Sequence, residues 1–251
     1  MNSLLNLAIR AQGGLDQWRK FHTISSHLSV GGMLWGTKGH SDTIADVDVK
    51  VNLLEQRTSH ILNDQWHTVY TPDRIAIETN NGEIVEEMYN PRSSYAGHTL
   101  ESPWSNLQLA YFAGYAVWNY FNTPFMFMRP GFEIAEIEPW TEKSGGTWRR
   151  LRVTWPKEIH THSKEQILYV DAEGLIRRLD YDVEVDGNVS CAHYLSDYQE
   201  VSGVKLATRR VVYLRNKDNN PVIDGPVIVS IDISDIELIN TDMTIVALNH
   251  V

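Results

Sequence analysis

The feature that most constrains this chain is a repeated alternation of apolar and polar residues in short runs. Between residues 47 and 54, Val47, Val49 and Val51 alternate with polar residues, which is typical of a half-buried β-strand. Similar runs continue to residue 239, and Gly, Asn, Asp and Pro mark turns between them. About ten strands at roughly ten-residue spacing predict a mainly β protein with one antiparallel meander.

Length, charge and cysteine content narrow the possible classes. The chain has 251 residues and no linker or repeat, so we expect a single domain over 1–251. A net charge of −10 without a basic cluster argues against nucleic acid as a partner. No apolar run reaches the ~18 residues that cross a bilayer, so we expect no stable membrane insertion. Cys191 is the one cysteine, which excludes an intrachain disulfide.

The N-terminus does not have the pattern of a secretory signal. Such a signal needs a basic start and a continuous apolar core, but here Asn6 and Arg10 interrupt the apolar residues. Residues 3–12 instead have the apolar spacing of a short helix, which Gly13 and Gly14 end. We therefore expect a cytoplasmic protein that begins with a helix.

One segment departs from the strand pattern. Residues 105–121 are apolar on nearly every side at helical spacing, and Thr123-Pro124 follows them. A helix that is apolar all round is buried, so we expect this one to pack on the sheet. A compatible alternative is that it covers a hollow in the sheet and lines a ligand cavity with its aromatic side chains. Those side chains are Tyr111, Tyr115, Trp118 and Tyr120.

The hairpin over residues 159–185 predicts an inner face that carries two histidines. A tight turn with Asp171 opposite Gly174 places His160 and His162 on one face, among apolar residues of the return strand. Both side chains point the same way from one strand, because side chains alternate between the two faces. We expect this face to lie inside the molecule.

The opposite face of the same hairpin is rich in charged residues. It carries Glu165 next to Arg178, and we therefore assign it to solvent. The inner face is then apolar apart from the histidines. Its Tyr181 is a candidate ligand-binding residue.

His160 and His162 permit three interpretations. They are a general acid–base pair, two metal ligands, or histidines that are hydrogen-bonded within the core. A His-x-His pair needs further ligands to hold a metal, and the sequence offers no clear set, so we expect neither a metal nor a cofactor. We name both histidines as catalytic candidates.

The strand over residues 190–200 has two possible registers. If Gly187-Asn188 forms a two-residue turn, the tyrosines of this strand point inward. A three-residue turn shifts the register by one and points the other face inward. The first register makes Tyr194 and Tyr198 catalytic candidates, and the second turns His193 and Asp197 inward.

Two strands carry adjacent arginines, so that one of each pair points to each face. An inward arginine would hold a carboxylate, enolate or phosphate of a ligand, whereas an outward one pairs with surface acids. We name Arg150 and Arg209 as ligand-binding candidates, together with His193.

Parts of the chain resemble a known bacterial fold. The segments AQGGLDQWRKFHTIS and YLSDYQEVSGVKLATRRVVY resemble the entry segment and a late strand pair of proteins with the LolA/LolB-like lipoprotein-carrier fold. The block LAYFAGYAVWNYFNTPF, with TWRRLRVTWPKEIHTHSKEQILYVDAEGLIRRLDY, resembles uncharacterised bacterial proteins of that fold. The resemblance implies a half-barrel, a single curved antiparallel sheet whose concave side is covered by helices and encloses an apolar cavity. It implies no catalytic residue.

We expect a hydrophobic or aromatic small molecule to bind in such a cavity. Histidines and tyrosines on an apolar face favour a cofactor-free acid–base enzyme of specialised metabolism, acting by cyclisation, isomerisation, aldol-type bond formation or dehydration. The alternative is a non-catalytic carrier of a lipid or hydrophobic ligand, which the fold resemblance favours. Such carriers are exported or membrane-anchored, so the expected cytoplasmic location ranks the enzyme first. A further alternative is a protein-interaction module with a filled core.

Overall fold

The computed structural model describes residues 2–143 and 145–240. Within these ranges, thirteen strands form one open antiparallel sheet, and four α-helices accompany it. The prediction of a mainly β protein with an antiparallel sheet is confirmed, but there are thirteen strands and not about ten. One reason is that the run over 59–70 contains two strands with a turn at Asn63 between them.

The helices are α1 (Ser3–Ala11), α2 (Leu15–Trp18), α3 (Met33–Thr37) and α4 (Asn106–Asn122). The first six strands are β1 (Thr23–Gly31), β2 (Asp46–Asn52), β3 (Thr58–Ile61), β4 (Trp66–Thr71), β5 (Arg74–Thr79) and β6 (Ile84–Tyr89). The other seven are β7 (Glu133–Thr141), β8 (Thr147–Thr154), β9 (Glu165–Val170), β10 (Ile176–Val183), β11 (Val189–Val201), β12 (Val204–Leu214) and β13 (Val229–Ile239).

The order of the strands places the first strand, β1, and the last described strand, β13, next to each other in the middle of the sheet. Strands β1 to β6 form one meander and β7 to β13 form another, and β1 pairs with β13 to join them. The two edge strands, β6 and β7, are consecutive along the chain. The segment between them, which includes α4, therefore connects one edge of the sheet to the other.

The two longer helices form where the sequence predicts them. The Asn2 side chain caps α1 by accepting hydrogen bonds from the backbone of Leu4 and Leu5. Helix α4 begins with a reciprocal capping box between Ser105 and Gln108. Its residues from Leu107 onward are buried, which confirms the predicted all-round burial. No helix within the described ranges is long and apolar enough to cross a membrane.

The sheet packs against α4 through its first meander. The helix contacts strands β2 to β6, and the approach to β4 is close at Gly114. A Cβ atom at this glycine would lie 2.5 Å from Cγ of Tyr70, so the helix and the tyrosine ring leave no room for a larger residue. This contact fixes the depth at which α4 lies against the sheet.

The predicted hairpin is shorter than expected and its register differs. Strand β9 begins at Glu165, so His160 and His162 lie in the irregular segment before it and not on a strand. The predicted turn places Leu168 opposite Arg177, but Leu168 pairs with Leu179, which is two residues further along β10. A shift of two residues preserves the faces, and for this reason Tyr181 still lies inside.

The assignment of the charged face to solvent is wrong at Arg178 and Asp180, although Glu165 is exposed. Arg178 is fully buried, and its guanidinium donates to Asp180 at 2.6 Å and to Glu142 at 2.7 Å. The hydroxyl of Tyr169 donates to the same Asp180, and the backbone carbonyl of Asn219 accepts from Arg178. Residues around 142 and 219 thus cover this face, and the charges neutralise one another there.

The connection from β10 to β11 is longer than either turn considered. A 3₁₀ turn at Glu184–Asp186 precedes the left-handed Gly187, and Tyr181 pairs with Cys191 instead of Tyr194. This register differs from the three-residue alternative by an even number of residues, so the same side chains point inward as in that alternative. His193 therefore points inward, and Tyr194 lies on the other face.

Candidate ligand-binding cavity

Helix α4 and the sheet enclose a small apolar space, which we call the inner cavity. It has a volume of about 50 Å³. Apolar side chains from both meanders form most of its wall, and α4 closes one side. Representative lining residues are Leu28, Val47, Phe112, Ala116, Val212 and Ile231.

A larger space, which we call the outer groove, lies between α4 and the edge of the first meander. Its volume is about 400 Å³. The groove is lined mainly by apolar side chains of β3 to β6 and α4, which are Leu62, Trp66, Ile77, Val85, Leu109 and Ala110. Trp66 is 42% exposed and Val85 is 46% exposed, so the groove opens to solvent.

Three residues border both spaces. Ile44, His60 and Ala113 line the outer groove and the inner cavity alike. His60 is buried, and burial lowers the pKa of its imidazole to about 4, so this side chain is neutral at pH 7. The wall that the two spaces share is therefore uncharged. An apolar ligand that contacts it does not have to desolvate a charge.

His162 lies at the inner cavity with tyrosines on three sides. Its imidazole stacks on the ring of Tyr181, and its two nitrogens lie 3.3 Å from the hydroxyl of Tyr115 and 3.4 Å from that of Tyr120. Tyr181 in turn lies 3.3 Å from Nδ1 of His193. The fold thus brings five aromatic side chains together from α4, β10, β11 and the segment before β9.

Burial governs the ionisation of this cluster. It lowers the pKa of His162 to about 3, and the nearby Arg92 lowers it further. Burial also raises the pKa of Tyr120 to about 12 and holds the pKa of Tyr181 well above its ordinary value. His193 has its pKa lowered well below the usual value by burial and by Arg210. Every member is neutral at pH 7, which makes the cluster poorly suited to proton exchange with a substrate.

His160 occupies a different environment. Its Nδ1 lies 2.8 Å from the hydroxyl of Tyr111, and its backbone exchanges hydrogen bonds with the Gln56 side chain. Burial, and secondarily Arg92, lower its pKa. The side chain lines a separate pocket of about 280 Å³ that His162 does not line, so the structure separates His160 from His162.

Several other predicted site residues do not line the inner cavity, and among them are Tyr111, Tyr115, Trp118, Tyr194, Arg150 and Arg209. Trp118 donates to the backbone carbonyls of Asn52 and Glu55 and does not line it. Tyr194 lies on the opposite face of the sheet because the register differs from the one that would point it inward. Its hydroxyl donates to Glu142 there.

The two arginine candidates, Arg150 and Arg209, do not point into the inner cavity. Arg150 donates to the backbone of Glu138, and Arg209 pairs with Asp232 on the exposed face. The neighbour of Arg209, Arg210, points inward instead and is buried. The sequence indicates that one of the two points inward but not which one.

Tyr198 reaches the inner side through a local irregularity. Asp197 adopts a positive φ of 53°, while the pairing with β12 keeps the same register on both sides of it. Tyr198 lines the same small pocket as Leu195, although the alternation of side chains would separate them. Its hydroxyl donates to the carbonyl of Ile176. Asp197 itself is exposed.

Sequence reasoning missed the outer groove. Strand β6 carries adjacent apolar residues, Ile84 and Val85, on its two faces. This loss of apolar–polar alternation is the sequence feature that could have indicated an exposed apolar surface here. Among the described residues, no group of three or more His, Cys, Asp and Glu side chains is arranged to hold a metal.

Comparison with known proteins identifies the fold. No protein-family model matches the chain, and no curated protein sequence matches it. A LolA superfamily protein from Nitrosomonas europaea matches with a TM-score of 0.55 and 10% identity over 97% of this chain and 95% of that one. A DUF1329 family protein from Desulfovibrio piger matches with a TM-score of 0.52 and 13% identity over 94% of this chain and 92% of that one. The chain has a LolA/LolB-like fold, as the resemblance implies.

The prediction of a cytoplasmic location is contradicted by this likeness. The chain shares the architecture of a LolA superfamily protein over nearly its whole length, and this fold is the one that the sequence analysis relates to exported or membrane-anchored carriers. The likeness gives no support to an enzyme, so the ranking of the enzyme above the carrier is not sustained.

Proposed function

We propose that this LolA/LolB-like protein binds and carries a hydrophobic ligand, such as a lipid chain, at the cell envelope. The observation that carries the proposal is the apolar outer groove, which opens to solvent and shares three wall residues with the inner cavity. Its volume of about 400 Å³ falls within the ~300–1,000 Å³ of small-molecule sites. We also propose that residues 1–251 act as one half-barrel domain, with α4 on the concave side.

The chemistry of the walls favours carriage over catalysis. The histidines that border the two spaces, His60 and His162, have pKa values of about 4 and about 3, so both are neutral at pH 7. The apolar side chains of these walls solvate a hydrocarbon chain well, and the two neutral histidines are poor proton donors near pH 7. Glu86 also lines the outer groove, and Asp186, at the inner cavity, is paired with Lys38. Tyr181 and His162 then serve as ring surfaces against which a ligand packs.

Two neighbouring residues of β6 provide the test. Val85 lines the outer groove, whereas Ile84 is exposed and does not line it. We expect Val85→Arg to weaken uptake of the uncharged fluorophore N-phenyl-1-naphthylamine by about tenfold, because it puts a charge into an apolar site. The matched control Ile84→Arg should bind as the unaltered protein does.

A second variant addresses the junction of the two spaces. Ala113→Trp places a large ring at the shared wall, so it should abolish access to the inner cavity. Thermal unfolding of the variant verifies that it is folded. Equal fluorophore uptake by Val85→Arg, Ile84→Arg and the unaltered protein would contradict the proposal.

A further inference from the structure

Beyond the inner cavity, next to Tyr120, lies a buried guanidinium without a counter-charge. Arg210 is 4% exposed, and its Nη2 donates to the backbone carbonyl of Tyr120 at 3.0 Å. Its Nε and Nη1 atoms have no hydrogen-bond partner among the residues that the structure describes. A guanidinium remains protonated in proteins, so the positive charge persists in this dry environment.

The surroundings of Arg210 do not neutralise it. It borders a small pocket of about 10 Å³, and within the described ranges no aspartate or glutamate lines that pocket. The groups that act electrostatically on Arg210 are three tyrosines, Tyr120, Tyr181 and Tyr198. Burial lowers the pKa of Arg210, consistent with a charge that lacks an ionic partner. The guanidinium lies over the ring of Tyr120, 4.6 Å from its centroid, and this contact does not neutralise the charge. A buried charge without a counter-ion is costly, so an occupant that removes this cost is expected.

A second unpartnered donor lines the same pocket. Gln12, at the end of α1, is 4% exposed, and its Nε2 has no hydrogen-bond partner. The pocket therefore presents N–H donors from two separate elements, β12 and the end of α1. Donors without acceptors favour an occupant that accepts hydrogen bonds and carries negative charge.

We propose that Arg210 and Gln12 form a buried site for a small monovalent anion, of the kind represented by a carboxylate or chloride. The volume of about 10 Å³ favours a small group over a large one. Tyr120 lines both this pocket and the inner cavity. The anion is thus either a free ion or the head group of an amphipathic ligand whose chain lies in the cavity, and the second source rests on the proposed function.

The first experiment measures free anions. The protein is exchanged into a gluconate buffer, and chloride or formate is added at constant ionic strength while thermal unfolding and the ³⁵Cl NMR line width are recorded. We expect chloride to raise the unfolding temperature saturably, and formate to compete with it. Arg210→Met should weaken chloride binding by about tenfold or more and Gln12→Ala by about fivefold, because each removes a donor. The control Arg209→Met removes an exposed arginine and should leave binding unchanged.

Stability provides an independent reading of the same site. In gluconate, Arg210→Met should unfold at a higher temperature than the unaltered protein, because a buried charge without a partner is removed. If Arg210→Met does not fold, Gln12→Ala and the competition between chloride and formate on the unaltered protein decide the question.

The second experiment separates the two sources of the anion. Dodecanoate and dodecanol share one chain and differ in charge. Displacement of chloride by dodecanoate but not by dodecanol supports the head group as the anion, and chloride binding that neither compound disturbs supports a free ion. Failure of both compounds to bind would count against the proposed function alone. The proposed anion site would be overturned if the unaltered protein, Arg210→Met and Gln12→Ala responded identically to chloride, formate and dodecanoate.

Discussion

The imidazole of His162 stacks on the ring of Tyr181, with centroids 4.2 Å apart and planes inclined by 12°. The two residues come from different elements, since Tyr181 belongs to β10 and His162 to the irregular segment before β9. The stack keeps the imidazole dry, and for this reason its pKa falls to about 3. A histidine of this kind contributes to the core as a neutral ring.

The depressed pKa of His162 predicts acid sensitivity. Its pKa is about 3 in the folded protein against an ordinary value of 6.5, so below pH 6.5 the unfolded chain binds a proton that the folded chain does not. Stability therefore falls as the pH decreases from 6.5 toward 3. At pH 5 this residue should account for about 2 kcal/mol of the loss.

Urea unfolding at pH 7 and pH 5 measures this contribution. We expect the free energy of unfolding of His162→Phe to change less between the two pH values than that of the unaltered protein, by about 2 kcal/mol. Phe112→Leu, which alters a ring beside His162 without removing a titrating group, is the control and should retain the full pH dependence. A His162→Phe variant with the same pH dependence as this control would refute the prediction.

The buried ion network around Arg178 predicts a large effect of one substitution. Arg178→Met would leave the carboxylates of Asp180 and Glu142 without their guanidinium, at a cost of about 3–5 kcal/mol in the free energy of unfolding. The adjacent Arg177→Met breaks a partly exposed pair with Asp171 and should cost less than about 1 kcal/mol. Chemical unfolding at pH 7 compares the two, and equal losses would show that Arg178 does not act as a buried counter-charge.

The close approach of α4 to β4 predicts that a favourable helix substitution is harmful. Gly114→Ala gains about 1 kcal/mol of helix propensity. Its Cβ would nevertheless lie 2.5 Å from Cγ of Tyr70, and overpacking of this kind costs about 1–3 kcal/mol. We expect a lower unfolding temperature for Gly114→Ala.

Gly36→Ala in α3 is the matched control. A Cβ there would lie 3.5 Å from Oγ of Ser41, which is ordinary contact, so this variant should be as stable as the unaltered protein or more stable. Similar gains for the two variants would indicate that Tyr70 moves aside freely.

The candidate site was predictable only in part. The inward direction of Tyr181 follows from the apolar pattern of one hairpin face, and it survives a register shift of two residues because the side-chain period is two. His162 also lies inside as predicted, but it precedes β9, so strand alternation does not explain its direction. Tyr194 and Arg209 depended on single-residue choices of register, and the structure places both on the outer side. The left-handed backbone at Asp197, next to the inward Tyr198, has no clear sequence signal.

Local physical chemistry was sufficient for the elements themselves. The apolar run of α4, its Ser105 cap and the alternation in β2 predict a buried helix and half-buried strands, because each depends on neighbours within a few residues. The pairing of β1 with β13, the coverage of Arg178 by residues around 142 and 219, and the pocket that Arg210 shares with Gln12 join residues far apart in the chain. Only the tertiary structure decides these, because burial of a charge depends on which distant segments cover it and not on its own flanking sequence.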